Sequence, residues 1–177
     1  MTAPMRATRA FTVIELLVVV AIFGLLLALA APSFNDLVLS TRIKGTASDI
    51  YASFSLARSE ALKRNANVTV GPVPAGGPWT GGWQVAVGAN VLNTHGPAVN
   101  LRIECPNGTT CNQGLTHSGN GRLVSGIPAG QPTALLNVDE LSPPTPRRVP
   151  VRCVQIDLSG RVSVLIDNNR DGDCTNG

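Results

Sequence analysis

The sequence predicts an α+β protein in which one long N-terminal helix leads into a β-rich head. Residues 11–31 are almost entirely apolar, and residues 32–64 carry apolar side chains mostly three or four positions apart, the period of an amphipathic helix. After Asn65 this period stops, and short β-prone runs appear between Gly and Pro residues. We therefore expect a short extension over 1–10, an apolar helix over 11–31, its amphipathic continuation over 32–64, and a β-rich head over 65–177.

Composition limits what the head can be. The chain has 177 residues, so about 110 remain after the helix, enough for one modest core and too few for a second enzyme-sized domain. The formal net charge is +3, but removing Arg6 and Arg9 with the first ten residues leaves 12 basic against 11 acidic side chains. Nucleic-acid binding would therefore need a local basic cluster. No recognised catalytic motif is visible, so we expect neither enzymatic activity nor a cofactor.

The apolar segment is long enough to cross a membrane. As a helix, Phe11–Ala31 would span roughly 31 Å, which matches a hydrocarbon core. Glu15 is its only charged residue, and Arg6 and Arg9 precede it. The positive-inside rule then keeps the N-terminus in the cytoplasm and sends the head across the membrane.

A cleaved secretory signal is the alternative interpretation of this segment. Ala28-Leu29-Ala30 has the form of a small-residue cleavage site after an apolar run. Glu15 argues against it, because a carboxylate inside the run costs about 2.5 to 3.5 kcal/mol on insertion scales and a signal peptide gains nothing from it. A retained anchor is therefore favoured.

The residues at the start of the apolar segment resemble the processing site of type IV prepilins. Ala10 is a small residue, and Phe11-Thr12-Val13-Ile14-Glu15 and an apolar helix follow it. In that family a membrane-bound peptidase removes the leader and methylates the new N-terminus. The resemblance implies that residues 1–10 are a cleaved leader, that cleavage falls between Ala10 and Phe11, and that Phe11 is N-methylated. Ala10 stands where the family usually has Gly.

Glu15 is expected to act in assembly. Cleavage would create an ammonium group at Phe11. In a bundle of such helices the carboxylate of one subunit can neutralise the amine of a neighbour, which avoids two unpaired charges in lipid. The N-terminal helix is therefore the surface that would bind other pilins or pseudopilins.

Two further features are predicted for the amphipathic segment. Pro32 stands where pilin helices often carry a kinking proline, and its missing N–H predicts a bend. Near the end of the segment, Arg58, Glu60, Lys63 and Arg64 are interpreted as a solvated face.

Six runs in the head are β-prone. The last two alternate apolar and polar residues on either side of a Ser159-Gly160 turn, which predicts a hairpin. Loops are expected over 71–82, 126–132 and 142–150. The predicted strands are Asn67–Val70, Trp83–Val87, Asn100–Ile103, Leu135–Val138, Val151–Leu158 and Arg161–Ile166.

The resemblance extends past the anchor. Leu56–Asn65, Val68-Thr69-Val70 and Trp79-Thr80-Gly81-Gly82-Trp83 look like the GspH/FimT group of minor pseudopilins and minor pilins, and the Ser159–Val162 turn adds to the match. The resemblance is weakest over 88–150. It implies a pilin-like fold, in which the long helix packs on a head of two antiparallel β-sheets.

The same resemblance implies a function. It is that of a minor pilin in the assembly or initiation of a type IV pilus; the alternative is a minor pseudopilin of a type II secretion system, which shares these motifs. Prepilin peptidase and other pilins are the implied partners. The implied location is the bacterial inner membrane, crossed once, with a cytoplasmic N-terminus and a periplasmic head that enters a pilus or pseudopilus.

Four cysteines lie in the C-terminal half of the chain. No CxxC spacing occurs and the two histidines do not complete a zinc pattern, so disulfides in an oxidising compartment are expected. Four cysteines allow three pairings. We favour Cys105 with Cys111 and Cys153 with Cys174, because each pair flanks a turn-rich segment.

The last residues contain part of a calcium-binding pattern. Asp167-Asn168-Asn169-Arg170-Asp171-Gly172 matches the first six positions of a calcium loop, with Asp167, Asn169 and Asp171 as candidate ligands. The twelfth position, normally a bidentate Glu, would lie beyond Gly177. An Asx-rich turn closed by Cys174 is therefore the favoured interpretation, and no metal is expected.

The C-terminal region also contains the one basic cluster of the head sequence, near which Arg122 is also expected: Arg147, Arg148, Arg152 and Arg161. Some FimT-like pilins bind DNA through a Gly-Arg-x-Arg motif at this hairpin. Here Gly160-Arg161-Val162-Ser163 resembles the motif, with Ser163 in place of the second Arg. Arginine contacts to phosphates give salt-sensitive binding without sequence preference. DNA is therefore a candidate partner, and a solvated or interface-forming basic face is the alternative.

Overall fold

The computed structural model describes residues 11–106, 109–127 and 133–174. Ala10 and the leader lie outside these residues. The chain divides into two compact units, Met1–Val38 and Leu39–Gly177, and each is described here by itself. One helix, α1, runs from Val13 to Arg64 and contributes to both units.

The first part of α1 is apolar and unburied. Its large apolar side chains between Val13 and Leu27 are all exposed. The most apolar window of the helix has a mean hydropathy of 2.9, and none of it is buried. By length and composition this helix can cross a membrane, as the sequence predicted.

The second part of α1 supplies one wall of the core of the head. Its buried residues recur at alternating steps of four and three, so they form one stripe on the helix. Leu62 is exposed because it lies about 100° around the helix from its buried neighbour Ala61. The stripe consists of Ile43, Ala47, Ile50, Phe54, Ala57 and Ala61.

Helix α1 ends at Arg64, as predicted, because Asn65 adopts a left-handed conformation with φ of 47°. The backbone N–H of Ala66 then donates to the carbonyl oxygen of Ala61 at 3.2 Å. This is the Schellman arrangement, which satisfies a carbonyl that the helix leaves unpaired.

The described part of the head holds nine strands in two antiparallel sheets. The first sheet has the order β3-β2-β1-β5-β6 and the second the order β4-β7-β8-β9. Their buried side chains, together with the stripe of α1, form one main core. The strands are β1 Val68–Pro72, β2 Trp83–Val87, β3 Asn90–His95, β4 Leu101–Glu104, β5 Leu115–His117, β6 Leu123–Ser125, β7 Thr133–Glu140, β8 Arg152–Asp157 and β9 Val162–Ile166.

All six predicted strands are present: β2 has the predicted ends and the other five have shifted ends. The predicted hairpin is β8–β9, in which Ile156 lies opposite Val162. Three strands were not predicted. β5 and β6 have three residues each, and β3 is a largely exposed edge strand. Short or polar strands carry little periodicity, which explains why these were missed. The loop predicted over 71–82 also contains a 3₁₀ turn, Trp79–Gly81.

The two tryptophan side chains form hydrogen bonds to neighbouring parts of the head. Trp79 and Trp83 are buried in the main core. The indole N–H of Trp79 donates to the carbonyl oxygen of Cys111 at 3.1 Å, and that of Trp83 donates to Ser53 Oγ of α1 at 2.9 Å. Ser53 in turn donates to the carbonyl oxygen of Asp49 at 2.8 Å. Both buried indole donors are therefore satisfied.

The second sheet is also covered on its outer face. Leu135 and Cys153 point away from the main core and form a second apolar cluster with Val151 and Cys174. The structure joins Cys153 to Cys174 and Cys105 to Cys111, the pairing that the sequence favoured. The Cys153–Cys174 disulfide joins the end of the described chain to β8. β7 is consequently buried on both faces rather than alternating.

Candidate assembly and binding surfaces

Thr12 and Glu15 form a capping box at the start of α1. The backbone N–H of Glu15 donates to Thr12 Oγ1 at 3.3 Å, and the backbone N–H of Thr12 donates to a carboxylate oxygen of Glu15 at 3.4 Å. These bonds satisfy donors that the first turn of a helix leaves unpaired. Thr12 was not singled out from the sequence, although the T-x-x-E spacing is the signal for this motif. Phe11, the expected new N-terminus, directly precedes the box and is exposed.

The region of Pro32 lies within α1, which is continuous from Val13 to Arg64. A proline removes one backbone donor without ending the helix here. The bend expected at Pro32 stays a prediction.

The four arginines of the predicted basic cluster do not form one free basic surface. Arg147 Nε lies 2.9 Å from Asp139 Oδ2, and an Arg148 nitrogen lies 3.2 Å from Glu140 Oε2. Asp139 and Glu140 are buried at the end of β7. Their carboxylates offset the charges of both arginines and make them less available to phosphates, and the expected contact of Arg147 and Arg148 with DNA stays a prediction.

Arg152 and Arg161 lie at opposite ends of the β8–β9 hairpin. Arg152 begins β8 opposite Ile166, whereas Arg161 follows the turn next to Val162. Five strand steps separate these ends, which corresponds to about 17 Å. The side chain of Arg161 is 80% exposed, and its Nε lies 3.3 Å from Asp157 Oδ2. Arg161 is therefore the member of the cluster best placed to contact a large ligand.

The hairpin turn is fixed by Asp157. One of its carboxylate oxygens accepts hydrogen bonds from Ser159 Oγ and, at 2.9 Å, from the backbone N–H of Arg161. The hydrogen bond from Ser159 lowers the pKa of Asp157, and bonds from Arg161 act in the same direction. Asp157 consequently remains charged at neutral pH and offsets part of the Arg161 charge.

A second turn packs against this one. Gly160 and Gly121 have φ of 75° and 77°, and a side chain at Gly160 would meet the carbonyl oxygen of Gly121. The Gly121 turn also covers Arg58 of α1, whose Nε would lie 3.4 Å from a Cβ at that glycine. Arg122, next to Gly121, is exposed. The contact between the turns thus brings arginines from three parts of the chain, Arg58, Arg122 and Arg161, to one region.

His117 is buried beneath the two turns. It is 0% exposed, its ring nitrogens have no hydrogen-bond partner among the described residues, and its ring centroid lies 6.2 Å from that of Phe54. Burial lowers the pKa of His117 to about 4; the charge of Arg58 acts in the same direction, and the backbone of Gly160 opposes the shift in part. His117 is therefore neutral in the folded protein at pH 7.

The loop with the calcium-like pattern forms a set of Asx turns. Asp167 accepts the backbone N–H of Gly172 at 2.7 Å, and Asp171 accepts that of Asp173 at 2.8 Å. Asn169 Nδ2 donates to Asp171 Oδ2 at 2.9 Å. No group of three or more His, Cys, Asp or Glu side chains within the described residues could hold a metal ion. The candidate ligands Asp167, Asn169 and Asp171 thus bond to their own loop.

Two protein-family models match this chain. Residues 46–160 match the family model of the type II transport protein GspH, and residues 5–31 match that of the prokaryotic N-terminal methylation motif. A fimbrial protein of Pseudomonas aeruginosa is 39% identical over 59 residues, which are 33% of this chain. The match spans only 38% of the length of that relative.

Solved structures of low sequence identity share the fold. The type IV minor pilin FimU of Pseudomonas aeruginosa superposes with a TM-score of 0.54 at 16% identity, covering 70% of this chain and 88% of FimU. The minor pseudopilin EpsH from the type 2 secretion system of Vibrio cholerae superposes with a TM-score of 0.51 at 13% identity, covering 72% and 98%.

An apolar N-terminal helix that carries a methylation motif and continues into a head of two antiparallel sheets defines a pilin-like protein. Within that class the chain belongs to the GspH family, whose model covers most of the head and the second part of α1.

Proposed function

We propose that this chain is a minor pilin that takes part in the assembly or initiation of a type IV pilus. In this account prepilin peptidase cleaves it between Ala10 and Phe11 and methylates Phe11. Residues 11–31 then anchor it in the bacterial inner membrane, with the head in the periplasm. Other pilins bind the same helix when the subunit leaves the membrane for the fibre.

One observation carries this proposal. The apolar part of α1 is unburied while the second part is built into the head, so the first part needs an apolar environment that the described residues do not supply. Lipid provides that environment before assembly, and the apolar helices of other subunits provide it afterwards. The capped carboxylate of Glu15 lies at the end where a cleaved amine would need a partner.

Fractionation and gene deletion test the proposal together. The chain is expected in inner-membrane fractions and in sheared fibres, and a strain without the peptidase should accumulate the form with the leader. A deletion strain is expected to lose piliation and twitching while it retains exoprotein secretion. Loss of secretion with normal piliation would instead favour the alternative, a minor pseudopilin of a type II secretion system, which the GspH match supports.

A second role, DNA binding at the hairpin turn, is favoured by the exposure of Arg161 and Arg122. No ion pair of Arg122 occurs within the described residues, whereas Arg161 is only partly offset by Asp157. Two exposed guanidinium groups on adjoining turns suit phosphate contacts without base readout. Uptake of DNA by a pilus would use such a surface.

Duplex binding by the full-length chain in detergent micelles, measured from about 50 mM salt upward, tests this role. Arg161→Ala and Arg122→Ala should each weaken binding for all sequences and reduce the slope of log K against log salt by about 0.9. Ser163→Arg should strengthen binding. Arg170→Ala, which removes a cation beyond the other end of the hairpin, is the control and should change little. Absence of binding at about 50 mM salt would reject the DNA role.

A further inference from the structure

An open groove lies between α1 and the β8–β9 hairpin. We call it the hairpin groove; Ser55, Arg58 and Ser59 of α1 form one side, and Gly160, Arg161 and Val162 form the other. Its volume is about 380 Å³, enough for one or two side chains of a bound segment. Tyr51 and Leu62 of α1 line it as well. The groove therefore combines apolar walls with two arginines.

Arg58 is the cation that α1 contributes to the lining of this groove. Its Nε is buried and has no hydrogen-bond partner, and none of the carboxylates in the described ranges lies within ion-pair distance of it. The nearby carboxylates already form ion pairs with other residues, since Glu60 pairs with Lys63 and Arg64 and Asp157 pairs with Arg161. A half-buried guanidinium without a carboxylate is the condition in which an incoming anion gains most from charge-assisted hydrogen bonds.

The depth of Arg58 indicates what kind of anion fits. The Gly121 turn covers the Arg58 Nε, and the groove between α1 and the hairpin, which Arg58 lines, gives an anion a route to the rest of the guanidinium. The phosphates of a DNA duplex lie on a stiff, convex surface and reach exposed groups such as Arg122 more readily. A carboxylate on a flexible side chain enters a narrow groove, and its geometry matches the fork of a guanidinium.

The open edge of β9 provides a place for the backbone of such a segment. β9 is the last strand of its sheet and pairs only with β8 in the described structure. Its sequence, Val162 to Ile166, contains neither a charge nor a proline, the features that usually protect edge strands from pairing. An extended segment can therefore add to this edge through main-chain hydrogen bonds and direct alternate side chains toward α1.

The groove continues along α1 and β9 toward a second pair of cations. Lys44, Arg152 and Val164 line this adjoining part, whose volume is about 320 Å³, and Tyr51 borders both parts. Neither Lys44 nor Arg152 forms an ion pair with any of the described residues. Fourteen helical steps from Lys44 to Arg58 correspond to about 21 Å, which about six residues of an extended segment would span.

We propose that an extended segment of a neighbouring fibre subunit adds to the edge of β9 and inserts an Asp or Glu side chain into the hairpin groove to pair with Arg58. A second acidic side chain about six residues away then faces Lys44 and Arg152. This inference rests on the proposed role as a fibre subunit. It gives the head, in addition to the N-terminal helix, a specific contact within the fibre.

Site-specific photocrosslinking in fibre-forming cells tests this inference. The full-length chain carries p-benzoylphenylalanine at Ser59, on the rim of the groove, and the control chain carries it at exposed Val91 on β3 of the other sheet. The expected adduct from Ser59 is a second pilin-like subunit, and peptide mapping should place the bond on an extended acidic segment. Val91 should not give this adduct.

Matched substitutions show whether the crosslink from Ser59 depends on the charge of Arg58. Arg58→Gln, which removes the charge but keeps hydrogen-bonding capacity, should reduce the adduct from Ser59 by about tenfold. Arg122→Gln, the same change on the adjoining turn, should leave it unchanged. Arg58→Glu should abolish the adduct, and Lys in place of the mapped acidic residue of the partner should restore it.

The remaining outcomes overturn the inference in distinguishable ways. An adduct to DNA or lipid, an adduct to a segment without acidic residues, or no adduct from a chain that still enters fibres rejects the docking site while the subunit role stands. Absence of the unlabelled chain from fibres rejects the proposed function and the docking site with it.

Discussion

Thr12 and Glu15 hydrogen-bond to each other in both directions at the N-terminus of α1, so the carboxylate proposed for assembly already has a structural role within its own chain. The two roles can be separated, because the cap needs hydrogen-bonding atoms while pairing with an ammonium group needs a negative charge.

Glu15→Gln should insert into the membrane normally and yet fail to enter fibres, since it keeps an acceptor for the cap and loses the charge. Thr12→Ala removes the cap, at a cost of about 1 kcal/mol in helix stability, but keeps the charge and should still be incorporated. Immunoblots of membrane fractions and sheared fibres measure both effects. Normal incorporation of Glu15→Gln would show that Glu15 acts only as a cap.

The turn between β8 and β9 depends on Gly160 for two reasons. Its φ is 75°, and a side chain there would collide with the backbone of Gly121. Gly160→Ala should therefore lower the free energy of unfolding by about 2 kcal/mol or more. Gly88→Ala is the matched control, because Gly88 has φ of 56° but no atom within 4 Å of the position of a Cβ. Chemical denaturation compares them, and equal losses would contradict the packing of the two turns.

His117 predicts a pH dependence of stability. Its pKa is about 4 when folded and about 6.5 when unfolded, so the unfolded state binds the proton more readily between these values. Stability should be full above pH 6.5 and fall by about 3 kcal/mol as the pH decreases to 4. Urea unfolding across this range should show the loss, and His117→Gln should flatten it. An unchanged slope in the variant without His117 would refute this assignment.

The two disulfides should contribute unequally. Cys153 and Cys174 are 21 positions apart and Cys105 and Cys111 are 6 apart, so the chain-entropy model assigns about 3 kcal/mol to the first bond and about 2 kcal/mol to the second. Cys153 and Cys174 also belong to the second apolar cluster, so replacing them by Ser places hydroxyl groups among buried apolar side chains. Denaturation of the two paired Ser variants should therefore give a larger loss for Cys153 and Cys174. A larger loss for Cys105 and Cys111 would contradict this ranking.

The helices and strands whose apolar residues repeat at a regular spacing could be predicted from the sequence. The apolar stripe from Ile43 to Ala61 and the alternation in β8 and β9 both repeat often enough to be recognised in the sequence. β5 and β6 are too short for that, and their place beside β1 depends on long-range pairing. The pairing of Cys153 with Cys174 was predicted from the turn-rich segment between them, but the second apolar cluster that buries Cys153 depends on packing with Leu135 and Val151, which no local pattern contains.

The candidate site was less predictable because it depends on which charges meet. Arg147 and Arg148 are close to Arg152 in sequence, but the end of β7 brings Asp139 and Glu140 to them. Arg58 was interpreted as part of a solvated face with its charged neighbours. Its unpaired position emerges only when the Gly121 turn folds over it. The sequence shows that an arginine carries a charge, but tertiary contacts determine which carboxylate pairs with it.

The central claim is that this chain is a processed, membrane-anchored subunit of a pilin-like fibre. Mass spectrometry of the N-terminal peptide of the chain recovered from sheared fibres tests it most directly. The account predicts a peptide that begins at Phe11 and carries one methyl group on its amine. A chain that begins at Ala31 or Pro32 and is found free in the periplasm would contradict the account and restore the secretory-signal interpretation.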